Sequence, residues 1–216
     1  AIESKNNSGY SLDIGYSIIA PSSSSVLLVT SNHTPIYSFS TSGETMAMAV
    51  EPVSVGGSLP YIYANSQTYP GIFEFRRNRS SAGDFLFVIN ILQLETYVAC
   101  VDSYEIYDFW PLEAHKVFST IVRTFTVRSG EKHASQHADL CSGICCQVYN
   151  GIDRVNETIR EAVNSTAGTV LSYDGNVAKV YYAAVSGGST VSCAESWSDD
   201  VPFLLAVATP WEKYKD

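Results

Sequence analysis

Between Val101 and Tyr149 the chain gathers one carboxylate, two cations and a set of soft-metal ligands. Glu105 follows Val101-Asp102-Ser103-Tyr104, and an aromatic stretch then ends in Trp110-Pro111. Lys116 and Arg123 come next, followed by His133, His137, Cys141, Cys145 and Cys146, with Gln147-Val148-Tyr149 closing the stretch. A positioned Glu can deliver a proton to a leaving oxygen, and nearby cations can steady the charge that develops. Thiolates with an imidazole make a tetrahedral S/N set suited to zinc. The stretch reads as a catalytic Glu at the start of a helix, buttressed by a metal-pinned loop. Taken alone, Glu105 is more simply a surface carboxylate, and Lys116 and Arg123 a solvated helix face.

The cysteines point the same way. Of five, three fall between positions 141 and 146, and adjacent Cys145 and Cys146 cannot easily pair with each other. That crowding suggests metal before disulfide. Cys100 and Cys193 read as small buried residues. Either His133 or His137 can complete the set, and the choice here is His137 with Cys141, Cys145 and Cys146. The alternative is reduced, unliganded thiols.

The whole chain bounds these readings. Its 216 residues are 45% hydrophobic, enough for a sizeable core. A net charge of -9, with no basic patch interleaved with aromatics, argues against nucleic acid as a partner. No apolar run reaches membrane-spanning length and no signal peptide is recognisable, so any membrane anchor is expected upstream.

Several elements must position the candidate residues. Residues 1–66 read as a β-rich N-terminal segment or accessory subdomain, with strands near Val26–Thr30 and Ile36–Phe39 between breaks at Ser22 to Ser25 and Gly56-Gly57. From residue 67 to 216 a second unit is expected. Gly71 to Arg77 alternates apolar and polar, and Phe85 to Ile91 is nearly all apolar, which predicts a hairpin across Ser80–Gly83. A short helix follows at Gln93–Val98. Pro111 opens the main helix, with Ala114, Val117, Phe118, Ile121 and Phe125 as its apolar face and Lys116, Thr120 and Arg123 opposite, lining the groove of Glu105. Residues 131–146 read as a loop, and a further helix runs through Val155, Ile159, Ala162 and Val163 to a stop at Gly168. Asp174-Gly175 predicts a hairpin between Thr169–Tyr173 and Val177–Ala184. Ser186-Gly187-Gly188 is a turn that backbone and ligand can approach closely, and Pro202 to Pro210 reads as a last strand. The fold class expected is α+β: mostly antiparallel β-sheet with a few helices flanking a substrate groove.

In this order and near these spacings, the motifs resemble the SpoIID/LytB family (stage II sporulation protein D) over about residues 68–209. They are Phe87-Val88-Ile89-Asn90 to Tyr97, Glu105, Trp110 to Lys116, Arg123-Thr124-Phe125, Asp139-Leu140-Cys141, Cys146 to Tyr149, and Ser186-Gly187-Gly188 with Thr190. Family members of the sporulation type are lytic transglycosylases that cut peptidoglycan glycan strands alongside an amidase; the LytB branch are amidase enhancers. The resemblance implies Glu105 as the catalytic acid and base. It also implies Lys116, Arg123, Tyr104, Gln147, Tyr149, Ser186, Gly187 and Gly188 beside substrate, with a structural zinc held through His and Cys. It implies glycan strands and a cell-wall amidase as partners, and a place outside the bacterial cytoplasm, secreted or anchored. Departures are present: Ser103-Tyr104 stands where the family has Pro-Ser, Ile106 where it has Met, Phe118 where it has Gln and Cys100 where it has Gly. One carboxylate suffices for this chemistry, because a hydroxyl of the muramic sugar is the nucleophile and no second carboxylate is needed. Aromatic walls from Tyr104, Tyr107, Phe109 and Trp110 are expected around the acid.

Overall fold

The computed structural model describes residues 2–3, 9–10, 17–22, 25–29, 32, 34–40, 47–54, 60–80, 83–197 and 199–212. Ser23-Ser24, Gly56-Gly57 and the hairpin tip at 81–82 lie outside them. The first strands are β1 (Ile2–Glu3), β2 (Gly9–Tyr10), β3 (Ser17–Ser22), β4 (Ser25–Val29), β5 (Pro35–Ser40) and β6 (Ala47–Val50). Then come β7 (Ile62–Ala64), β8 (Gln67–Tyr69), β9 (Ile72–Ser80) and β10 (Gly83–Ile91). Three helices follow, α1 (Leu94–Glu105), α2 (Leu112–Arg128) and α3 (Glu157–Ser165), then β11 (Ser172–Tyr173), β12 (Asn176–Val177) and α4 (Cys193–Trp197). All the strand pairs are antiparallel, so the fold is α+β, as expected.

The expected hairpin is β9–β10, paired from Ile72↔Ile91 to Ser80↔Gly83. On its other side β9 takes β6, giving the order β10-β9-β6. A strand from before residue 66 is thus hydrogen-bonded to one after it. β3, β4 and β5 form a separate three-stranded sheet.

The core lies among the helices. Val98, Ala99, Cys100 and Val101 of α1 pack with Phe118 and Val122 of α2, Ile159 and Val163 of α3, and Tyr149. Cys100 and Cys193 are buried free thiols, and burial pushes Cys100 up to about 12. Asn156 caps α3 by accepting the Ile159 N–H at 2.9 Å, and Gly168 takes the positive φ, +72°, that follows the helix end.

Four expectations about the elements need correction. Gln93–Val98 is only the first half of a helix that continues to Glu105, so Glu105 ends a helix rather than starting one. The buried residues of α2 are His115, Phe118, Ser119, Val122, Arg123 and Thr124; of the apolar set read from the wheel Phe118 is among them, whereas Val117 is 62% exposed. That face is set by polar partners on α1, since buried polar groups must be paired. Asp174-Gly175 does turn a hairpin with positive φ at both residues, but β12 stops at Val177. Pro202–Pro210 forms no strand; it contributes one isolated bridge, Ser189↔Ala208.

Candidate functional site

Glu105 is the last residue of α1. An acid there opposes the helix dipole, a local cost that other groups must offset. Two neutral donors do so. The Val148 N–H donates to Glu105 Oε1 at 2.7 Å and the Tyr182 hydroxyl donates to the same oxygen at 3.0 Å. Oε2 accepts no hydrogen bond among the described residues, so one oxygen is held and the other has no protein donor there. Burial, then the Glu105 charge, pushes the Tyr182 phenol above its ordinary value, so it remains a donor. Burial does the same for Tyr97, on which the charges of Cys146, Tyr182, Cys141 and Glu105 also act.

The aromatic wall differs from the one expected. Tyr182 meets Phe118 edge-on, with centroids 5.1 Å apart. Tyr104 is elsewhere: its hydroxyl donates to Gln67 Oε1 at 2.7 Å, and the Arg154 guanidinium lies 4.5 Å over its ring. Tyr107, Phe109 and Trp110 are exposed just past the end of α1; Tyr107 stacks on Phe109 at 5.3 Å, and Trp110 lies tilted beside Tyr107 at 6.4 Å. Tyr181 and Trp197 form a second exposed stack, 5.3 Å apart and 10° from parallel. Sequence reasoning missed Tyr182, which lies well beyond the Cys-rich loop in a stretch that reads only as a strand.

Two pairs tie α1 to α2 in antiparallel fashion. Asp102 receives Ser119 Oγ at 2.9 Å and lies 2.5 Å from His115 Nδ1, all three side chains being fully buried. Burial raises the Asp102 carboxyl, against the pull of His115 and Ser119. Further along, Arg123 clamps Glu95 through Nε at 2.9 Å and Nη2 at 2.6 Å. It also reaches the Thr169 carbonyl at 3.0 Å. The Arg123 side chain is 1% exposed. It therefore does not line a groove as expected; it is an internal clamp, because its fork is saturated by Glu95 and the carbonyl beyond α3. Lys116 is partly exposed, pairs with Glu113 at 2.7 Å, and sits at the end of α2 that meets the end of α1 carrying Glu105. Tyr149 is also inside: it stacks on Tyr97 at 5.4 Å and donates to Asn90 Oδ1. Gln147 is buried beside Val148, accepting from Thr126 Oγ1 at 3.0 Å, with its Nε2 unpartnered. Ser186 and Gly188 hold the Glu212 carboxylate.

The loop 131–146 is as irregular as expected, with a single 3-10 turn at Ala134–Gln136. It brings together His133, Cys141, Cys145 and Cys146, whose ligand atoms all lie within 4.8 Å of one another. His133 Nε2 is 3.3 Å from Cys146 Sγ and 3.6 Å from Cys145 Sγ. His133, not His137, is the imidazole of the cluster. His137 ends the 3-10 turn in the left-handed conformation, φ +61°, and is exposed, whereas His133 pairs with Ala138 and is turned back over the thiols. Tetrahedral coordination with bonds of about 2.0–2.3 Å needs donors roughly 3.3–3.8 Å apart, so the set fits a metal ion. Cys146 is pushed up to about 11 by burial, and a bound cation would have to displace that proton. The cluster is two residues from Val148, the N–H of which holds Glu105.

Residues 83–173 match the family described as SpoIID, Stage II sporulation protein. Over these residues the chain is similar to that family. The chain is 34% identical over 97 residues to the Amidase enhancer of Bacillus subtilis, covering 45% of this chain and 13% of that protein. It is 27% identical over 137 residues to Stage II sporulation protein D of the same organism, covering 56% and 40%. An uncharacterized protein of Brachyspira hyodysenteriae is 33% identical over 125 residues, covering 57% and 34%. The matched stretches cover less than half the length of each of these relatives. No helix among the described residues is long and apolar enough to cross a membrane.

Proposed function

We propose that the chain is a peptidoglycan lytic transglycosylase of the SpoIID type, acting on glycan strands outside the bacterial cytoplasm, in sporulation or wall remodelling. The observation that carries this reading is Glu105: Oε1 is held by two neutral donors while Oε2 accepts nothing from the described residues. A carboxyl held this way can donate its proton to the glycosidic oxygen as the C1–O bond breaks. The C6 hydroxyl of the same muramic residue then attacks C1, and Glu105 takes that hydroxyl's proton, closing a 1,6-anhydro ring. The acid is regenerated, and neither water nor a second carboxylate is consumed. Tyr182 and Val148 orient Glu105, and the exposed stacks of Tyr107 with Phe109 and of Tyr181 with Trp197 offer flat faces to sugar rings. Lys116 is the cation left near the acid once Arg123 is assigned to the clamp.

The metal at His133, Cys141, Cys145 and Cys146 would be zinc, in a structural role. Four protein ligands close its coordination, and catalytic zinc keeps a position open. When bound it cross-links the loop; the chain itself carries that order to Val148 and so to Glu105. A second reading has an observation of its own, the 34% identity to a protein named Amidase enhancer: a non-catalytic glycan-binding protein that stimulates an N-acetylmuramoyl-alanine amidase. Glu105→Gln separates them. It keeps the shape and removes the titrating proton, so it abolishes glycan cleavage under the first reading. Under the second, amidase stimulation is unchanged and there is no cleavage to lose.

A further inference from the structure

The chain carries a net charge of -9, yet three cations meet around one hollow. The hollow, about 200 Å³, lies where the end of α2 faces the segment after β12, and Arg128, Lys132 and Lys179 line it together with Phe125 and Tyr181. It is remote from the acid: Arg128 and Lys116 stand near opposite ends of α2, about 18 Å apart along the helix axis.

The three cations are engaged to different degrees. Lys132 donates to the Cys145 carbonyl, and its ammonium has two further protons to give. Lys179 pairs with Asp199 and lies 5.6 Å from the centre of the Tyr181 ring. Arg128 makes no hydrogen bond or ion pair among the described residues. As the last residue of α2 it complements the helix dipole, which draws on its charge and leaves its N–H groups free. Three cations less Asp199 leave a net +2, which a carboxylate neutralises only by half and a phosphate monoester, at about -1.5 to -2, nearly in full.

Beside the cations is a flat apolar face. Tyr181 stacks on Trp197 at 5.3 Å, 10° from parallel, and the two are 40% and 63% exposed. Such a pair suits a sugar ring, and its Tyr181 also borders the hollow.

We infer that this hollow is a site for a phosphorylated sugar, with the ring against the Tyr181–Trp197 pair and the phosphate on Arg128, Lys132 and Lys179. The Arg128 fork can take two phosphate oxygens at once, and the two ammonium groups act as point charges. The sugar phosphate can be free or borne on a glycan strand. The inference rests on the sugar reading of that aromatic pair and not on Glu105 as an acid.

Calorimetry on the whole chain tests it with five probes: N-acetylglucosamine 6-phosphate, N-acetylglucosamine, inorganic phosphate, N-acetylmuramic acid and a glycan strand bearing 6-phosphate groups. The sugar phosphate should bind about tenfold more tightly than the parent sugar, inorganic phosphate or muramic acid. Arg128→Gln should weaken it about tenfold, the contribution of one charge-assisted hydrogen bond, at an unchanged Tm. Trp197→Ala should weaken it several-fold and leave inorganic phosphate unchanged. Tighter binding of the strand than of the monosaccharide assigns the site to glycan, and equal binding assigns it to free sugar phosphates. Muramic acid binding as tightly as the sugar phosphate overturns the phosphate assignment in favour of a carboxylate. Inorganic phosphate binding as tightly overturns the sugar assignment. Undiminished affinity in Arg128→Gln, or failure of both phosphorylated ligands to bind, overturns the site and leaves cleavage by Glu105 standing.

Discussion

Glu105 and Tyr182 are joined by one hydrogen bond, and most of the chemistry proposed here passes through that pair. Glu105→Gln should leave the fold intact and lower glycan cleavage by about 10²–10⁴, the usual worth of a general acid. Near-wild-type turnover would move the acid elsewhere, Glu113 being the next carboxylate along the chain. Tyr182→Phe removes one donor to Oε1 without opening a cavity. A net hydrogen bond of about 1 kcal/mol corresponds to a several-fold fall in kcat, with KM little changed, because the phenol touches the acid and not the sugar. A raised KM with unchanged kcat would instead make Tyr182 a sugar contact. Glu105 stands out as the candidate acid in the sequence through its place in a run of motifs. Tyr182 does not, because neither its spacing nor its neighbours mark it; only the folded chain brings it within 3.0 Å of the acid.

The helix pair α1–α2 shows where sequence reading fell short and why. An apolar-periodicity count gave α2 the wrong inner face, since His115, Ser119 and Arg123 occupy core positions that the count assigns to aliphatic side chains. Each is there because a partner on α1 or beyond pairs it, and partners 13 to 46 residues away are invisible to a helical wheel. The same limit led to His137 in place of His133: spacing allows both, and only the folded loop, with left-handed backbone at His137, brings His133 to the thiols. Hairpin β9–β10 and helix α3 were legible because alternation, turn and cap residues all agree locally. The Arg123–Glu95 clamp gives a pH prediction. Burial raises the Glu95 carboxyl, but the Arg123 hydrogen bonds, the Gly168 N–H and the Arg123 charge outweigh it, and the net value lies below the ordinary one. Its stabilisation is therefore complete above the unfolded value of about 4.3 and lost as pH falls through the folded value. Melting from pH 6 to 3 should show a steeper acid loss in the wild type than in Glu95→Gln. Arg123→Ala should cost about 3 kcal/mol, at the low end for a broken buried pair because Glu95 is a third exposed. Arg123→Lys should not restore it, since a single ammonium cannot reproduce the fork.

For the molecule as a whole, loop and acid are proposed to form one structure in which the zinc supplies order and Glu105 supplies the proton. Carefully prepared protein should carry close to one equivalent of zinc, and less than about half an equivalent would count against the site. Removing the metal should lower Tm and loosen residues 131–146 in hydrogen exchange, with activity falling only as Val148 loses its place. Activity lost at full structural integrity would instead put the metal in the chemistry. The central claim is turnover, and product analysis tests it most directly: incubate the purified protein with peptide-stripped glycan and examine the released ends by mass spectrometry. The account predicts 1,6-anhydro-muramic ends, absent with Glu105→Gln. Intact strands in a sample that still stimulates an amidase would contradict it.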